Sequence, residues 1–252
     1  LGKGGRFSNI STTRMLGRKI QNTNCSIFFP EPPEAPSIEE SFRTIGGTQY
    51  KKLPSKIKLL LRRAHAFQLG LEELNFGRNP SEKLVTHDLG NLTKGNYIEW
   101  AEKIRQYLAV SIEQQFEWES TERALKEWRK VFFDAGIFVF KDSFRCEGFD
   151  GFCLYHKEFP IIYINNSSTR ARQIFTLFHE LAHLLYRTSG VNTQDIDYFD
   201  FTTDNREIEV DCNQLAAEIL VPESDFNQAF NGRTPQKKSQ LNWLLNSVLV
   251  EK

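Results

Sequence analysis

The chain has 252 residues with 32 basic and 32 acidic side chains, so its formal charge is zero; 40% of it is hydrophobic and 13% aromatic. That neutrality excludes a general nucleic-acid coat protein, which carries a large basic excess. The 21 Phe and four Trp exclude a wholly disordered chain, and the length suits one large domain or two small ones.

Residues 1–45 predict an irregular arm or linker. Gly2, Gly4, Gly5 and the cluster Pro30, Pro32, Pro33, Pro36 break regular structure, and no acid precedes Glu31. A helical segment follows over 46–135. Leu53, Ile57, Leu60, Leu61 and Ala64 recur with helical period, while Lys51, Lys52, Lys56, Lys58, Arg62 and Arg63 belong to a solvated face. Further helices are expected over about 97–108 and 121–135. Residues 100–118 have the helix, turn, helix look of a DNA reader. Yet residues 112–119 are acidic and phosphates would repel them, so no direct nucleic-acid binding by this chain is expected.

After Gly136 the pattern changes. Residues 137–140, 151–155 and 161–164 are β-branched or aromatic runs, which predict a small, mainly antiparallel sheet. Helical periodicity resumes at Arg170. The fold class is therefore α+β, with a core over 136–230 and a C-terminal helical tail over 231–252.

No apolar run approaches the roughly 20 residues a bilayer helix needs; 241–250 and 159–164 are the best candidates. Residues 1–7 lack the apolar centre of a signal peptide. Four cysteines without C-x-x-C spacing point to reduced thiols and a cytoplasmic protein. The chain begins with Leu rather than Met, which suggests a fragment or a trimmed chain.

The residues that carry chemistry are His179, Glu180, Leu181, Ala182 and His183, an H-E-x-x-H motif. On a helix, positions four apart share a face one turn up, so both imidazoles reach one ion. Glu180 lies beside the first ligand, placed to act as general base toward water that the metal activates. With this composition, random order gives the spelling in roughly one chain in a hundred, so context matters. The helix is apolar nearly throughout, and two histidines with a glutamate in such a setting need a partner that offsets desolvation.

A catalytic zinc normally has three protein ligands. The next helix, over 205–220, offers Glu207, Glu209, Asp211 and Glu218. Ile208, Cys212, Leu215 and Ile219 form its core stripe, with Glu209 and Asn213 alongside. Glu207, Asp211, Gln214 and Glu218 share the opposite side, expected to be solvated. Glu209 is thus the expected third ligand, and Asn213 is placed to orient a ligand histidine.

These residues resemble the ImmA/IrrE metallopeptidases. The stretch 172–185 looks like that family's zinc helix, and 209–222 like its second signature, E-x-x-A-N-x-F-A-A-E-x-L-M-P, with Cys212, Leu215 and Val221 as apolar departures. The likeness covers roughly residues 50–230. It implies a zincin-like metallopeptidase domain, Zn²⁺ (with Mn²⁺ as the alternative) on His179, His183 and Glu209, and Glu180 as base. The substrate implied is a cytoplasmic regulatory protein, a helix-turn-helix repressor. Pro32-Pro33 and 41–44 are similar to the joint of a subgroup in which a repressor-type domain precedes the peptidase, so DNA would be reached through a missing N-terminal domain.

Strand 161–164, through Ile161 and Tyr163, is a candidate for pairing with extended substrate, with core packing as an equal alternative. His156, Tyr186 and Tyr198 are candidates for stabilising an oxyanion. His65 and His87 read as surface histidines. The rival reading is a non-catalytic transcriptional regulator with a structural or sensory metal site. Glu180 favours the enzyme, since a structural site needs ligands but no base.

Overall fold

The computed structural model describes residues 53–90, 92, 95–186, 191–193 and 203–224. The expected arm over 1–45, the tail over 231–252 and Tyr198 lie outside the described residues.

Helix α1 (Ser55–Leu74) buries Ile57, Leu60, Leu61 and Ala64, the stripe its periodicity predicts. After the short α2 (Val85–Asp88) come α3 (Tyr97–Leu108), α4 (Ile112–Phe116) and α5 (Thr121–Asp134). Serine caps start the last two: Ser111 Oγ accepts from Gln114 N at 3.2 Å and Ser120 Oγ from Arg123 N at 3.1 Å. Gly136 turns the chain out of α5 at φ +84°, where a Cβ would sit 2.7 Å from Lys83 O.

Four strands follow: β1 (Phe138–Asp142), β2 (Phe149–Leu154), β3 (Ile161–Asn165) and, beyond helix α6 (Arg170–Leu185), β4 (Val191–Thr193). Helix α7 (Thr203–Leu220) is the last element among the described residues. The sheet runs β1-β3-β2-β4; β2 is antiparallel to both its neighbours and only β1 and β3 run parallel. The mixed helix-and-sheet architecture is α+β, as expected.

Alternation along the strands builds two cores. Phe152, Leu154, Ile161 and Tyr163 join α1, with the Phe152 and Tyr163 rings stacked at 5.1 Å. Cys153, Ile162 and Ile164 join the core formed with α5, α6 and α7. There Phe178 of α6 meets Trp128 and Phe132 of α5 edge-on at 4.7 and 5.2 Å. The helices before Gly136 therefore share these two cores with the segment after it.

The α3–α4 pair has a specific task. Arg105 is buried and donates to Ile219 O at 2.6 Å and Val110 O at 2.9 Å, while Gln115 Nε2 donates to Leu220 O at 3.1 Å. The last carbonyls of a helix have no partner within it. Here two side chains from the α3–α4 corner supply them and so anchor α7. No helix among the described residues is long and apolar enough to cross a membrane.

Candidate metal centre

Helix α6 begins at Thr169, whose Oγ1 accepts from Arg172 N at 3.3 Å, and every residue from Gln173 to Leu185 is buried. Burial follows from its position between the sheet, α5 and α7. His179 and His183 present their rings on the same side, 4.8 Å apart. Glu209, on α7, faces them: its Oε2 is 3.2 Å from His179 Nε2 and its Oε1 is 3.2 Å from His183 Nε2. The two Nε2 atoms are 3.1 Å apart. The three are the one group of His, Cys, Asp or Glu among the described residues whose ligand atoms converge.

Tetrahedral zinc with bonds of about 2.0–2.1 Å spaces its ligand atoms by about 3.3 Å. The 3.1 Å between the two imidazole nitrogens is close to that spacing, and each Glu209 oxygen lies 3.2 Å from one of them. Burial pushes the Glu209 carboxyl up, but His183 and His179 outweigh it and hold the group well below the usual range, as an anion. Asn213, one turn on, places Oδ1 2.8 Å from His179 Nδ1. A proton on Nδ1 leaves the Nε2 lone pair facing the other ligands.

Glu180 is fully buried on the sheet side of the same turn, and neither carboxylate oxygen accepts a hydrogen bond of ordinary geometry. Burial pushes its pKa up to about 8, with His179 and the weakly donating Cys153 thiol pulling the other way. A Cβ on Gly151 of β2 would lie 2.5 Å from Thr176 Cγ2, 3.1 Å from Tyr163 O and 3.5 Å from Glu180 Oε1. Glycine thus lets strand backbone approach the helix beside this carboxylate.

Several expectations are corrected. Ile161 and Tyr163 cannot receive an added strand, because β3 is paired on both sides and both residues are buried. Their side chains pack in the core on the α1 side. Asp211 is buried rather than solvated, since Tyr97 from α3 crosses that face and donates to its Oδ1 at 3.0 Å. Glu207 and Gln214 are exposed as expected.

Among the oxyanion candidates, Tyr186 is bound to Asp211 and burial with that carboxylate raises its pKa. His156 accepts backbone N–H groups of Glu158 and Phe159 at 3.1 and 3.0 Å and so shapes the β2–β3 turn. His65 has both ring nitrogens buried, and burial lowers its pKa; only His87 is a surface histidine.

Two features carried little sequence signal. Asp150-Gly151 spells a turn, yet both lie within β2. The register against β4 shifts between Phe149 and Gly151, which leaves Asp150 as the extra residue of a bulge and re-aims it. Its buried carboxylate then accepts from Arg172 Nε at 2.9 Å, Arg172 Nη2 at 2.7 Å and Ser168 Oγ at 2.8 Å, tying the strand to the start of α6.

A buried helix with two histidines and a neighbouring glutamate, joined by a carboxylate from the following helix, forms a group that could hold a metal ion. Residues 134–246 match the family model Peptidase_M78, the IrrE N-terminal-like domain. Over those residues the chain is similar to the metallopeptidase family of the ImmA/IrrE kind. No curated protein matches it.

Proposed function

We propose that the protein is a zinc-dependent endopeptidase of the cytoplasm that hydrolyses a peptide bond in a regulatory protein, a helix-turn-helix repressor. One observation carries this reading: donor atoms of His179, His183 and Glu209 lie within 4.8 Å of one another while a buried carboxylate, lacking a conventional hydrogen bond, stands on the next residue. His179, His183 and Glu209 would hold the ion, and Asn213 would orient His179. A bound zinc would supply Lewis acidity, polarising the scissile carbonyl and lowering the pKa of water. Glu180 would take a proton from the attacking water on its carboxylate and return it to the leaving amine. Burial raises the proton affinity of this carboxylate when no ion is bound. The repressor as substrate rests on the family likeness.

Elemental analysis of the full chain beside Glu209→Ala and Glu180→Gln tests the ligands. About one zinc per chain is expected in wild type and Glu180→Gln, with loss in Glu209→Ala. Expression of wild type and Glu180→Gln in cells, followed by mapping of new protein N-termini, tests the reaction. New termini within a repressor, present only with wild type, are expected. Identical termini from both proteins, each loaded with metal, would overturn the peptidase reading in favour of a structural or sensory site.

A further inference from the structure

Strand β1 ends the sheet on one side: in the order β1-β3-β2-β4 it pairs with β3 alone among the described residues. Phe138 N donates to Pro160 O at 3.0 Å and Asp142 O accepts from Asn166 N at 2.9 Å, both toward β3. A strand residue turns its N–H and C=O to one side, and the next residue turns them to the other. The peptide groups of Val139 and Lys141 therefore face outward along the open edge. Arg129 of α5 reaches that edge, its Nη2 donating to Val139 O at 3.2 Å.

The two faces of the edge differ. Val139 packs on the α5 and α6 side, Phe140 on the α1 side. Burial lowers the Lys141 pKa, and the charges of Arg129 and Arg170 lower it further against the opposing Glu122. Cations from α5, β1 and the start of α6 thus converge on one face. On the other, Phe67 is 38% exposed and stacks on Phe140 at 4.8 Å, while Asp142 is paired with Arg63.

We propose that β1 is a docking edge for an extended segment of a partner protein in which acidic and apolar residues alternate. An unpaired edge is a template for an added strand, whose peptide groups would meet those of Val139 and Lys141. Successive side chains of that strand fall on opposite faces. Its carboxylates would then lie by Lys141 and Arg170, and its apolar residues would cover Phe67 and Phe140. A second copy is the poorer occupant, because pairing β1 with β1 brings two cation clusters together. Strand β3 separates β1 from β2, the strand beside Glu180, so the inference does not rest on the peptidase reading.

The test is fluorescence anisotropy of short labelled peptides with the full chain. The parent peptide alternates valine and glutamate. One derivative is N-methylated on every valine, another on every glutamate, and a third carries lysine in place of glutamate. The parent should bind and one of the methylated forms should not, since only alternate N–H groups of an added strand face β1. The lysine peptide should not bind, and Lys141→Glu and Arg170→Glu should each weaken the parent by about tenfold or more. Failure of the parent to bind, or binding that neither methylation disturbs, would overturn the proposal. Affinity indifferent to both charge reversals, or a preference for single-stranded DNA over the parent peptide, would overturn it as well. A dimer of the chain that the parent peptide dissociates would assign the edge to a second copy instead.

Discussion

Replacing Gly151 by alanine separates the close approach of β2 and α6 from ordinary strand behaviour. In a strand interior Gly→Ala normally stabilises by roughly 0.5–1 kcal/mol, because glycine loses more backbone freedom on folding. Here the new methyl would meet Thr176 Cγ2 at 2.5 Å and Tyr163 O at 3.1 Å. Carbon atoms rest at about 3.5–4.0 Å, so about 1 Å must be absorbed. Neither neighbour yields easily: Tyr163 O belongs to the central strand, and Thr176 sits in a helix tied to β2 through Asp150 and Arg172. Overpacking of this kind costs about 1–3 kcal/mol, so the sign should invert to destabilisation. Thr176→Ser deletes the offending Cγ2 and keeps the hydroxyl. Urea denaturation of the two single variants and the double variant forms a cycle, in which Gly151→Ala should cost about 1 kcal/mol or more less beside Thr176→Ser. Equal cost in both backgrounds, or a stabilising Gly151→Ala, would refute the close-approach argument.

Two other outcomes follow from the same geometry. Asn213→Ala should weaken zinc binding about 10- to 100-fold, as loss of a ligand's orienting partner does, while Asn213→Asp should retain it; competition against a chromophoric chelator measures both, and unchanged affinity in Asn213→Ala would remove Asn213 from the site. Arg105→Met should cost about 2–5 kcal/mol in urea denaturation, because Ile219 O and Val110 O lose a buried charged donor. Lys103→Met, whose exposed ammonium pairs with Glu99, should stay within about 0.5 kcal/mol and serves as the control.

What sequence periodicity delivers is direction within an element. It placed the apolar stripe of α1, set both motif histidines on one side of α6, and separated Glu209 and Asn213 from Glu207 and Gln214. It carries no knowledge of what arrives from elsewhere. Asp211 looks solvated by phase alone, yet a tyrosine 114 positions earlier covers it. Strand order is equally silent: Ile161 and Tyr163 lie in a strand just before the metal helix, and only the pairing of β1 on one side and β2 on the other closes it to substrate. Gly151 gives no local hint of its importance, because the constraint comes from the helix facing it. The likeness of the two motifs to ImmA/IrrE metallopeptidases did more than periodicity could, and the match over residues 134–246 agrees with it.

The centre draws two of its side chains from one helix and the third from another, with the hydrogen-bonded His179 and Asn213 34 positions apart. Closing a chain loop of that length costs about 3 kcal/mol in entropy, besides a constant. An ion held by all three side chains exists only with the loop closed, so part of its binding free energy goes into closing it. Affinity for the ion and the docking of α7 are then one coupled quantity, and the Arg105–Gln115 anchor, by holding the far end of α7 beforehand, lowers the entropy left for the ion to overcome.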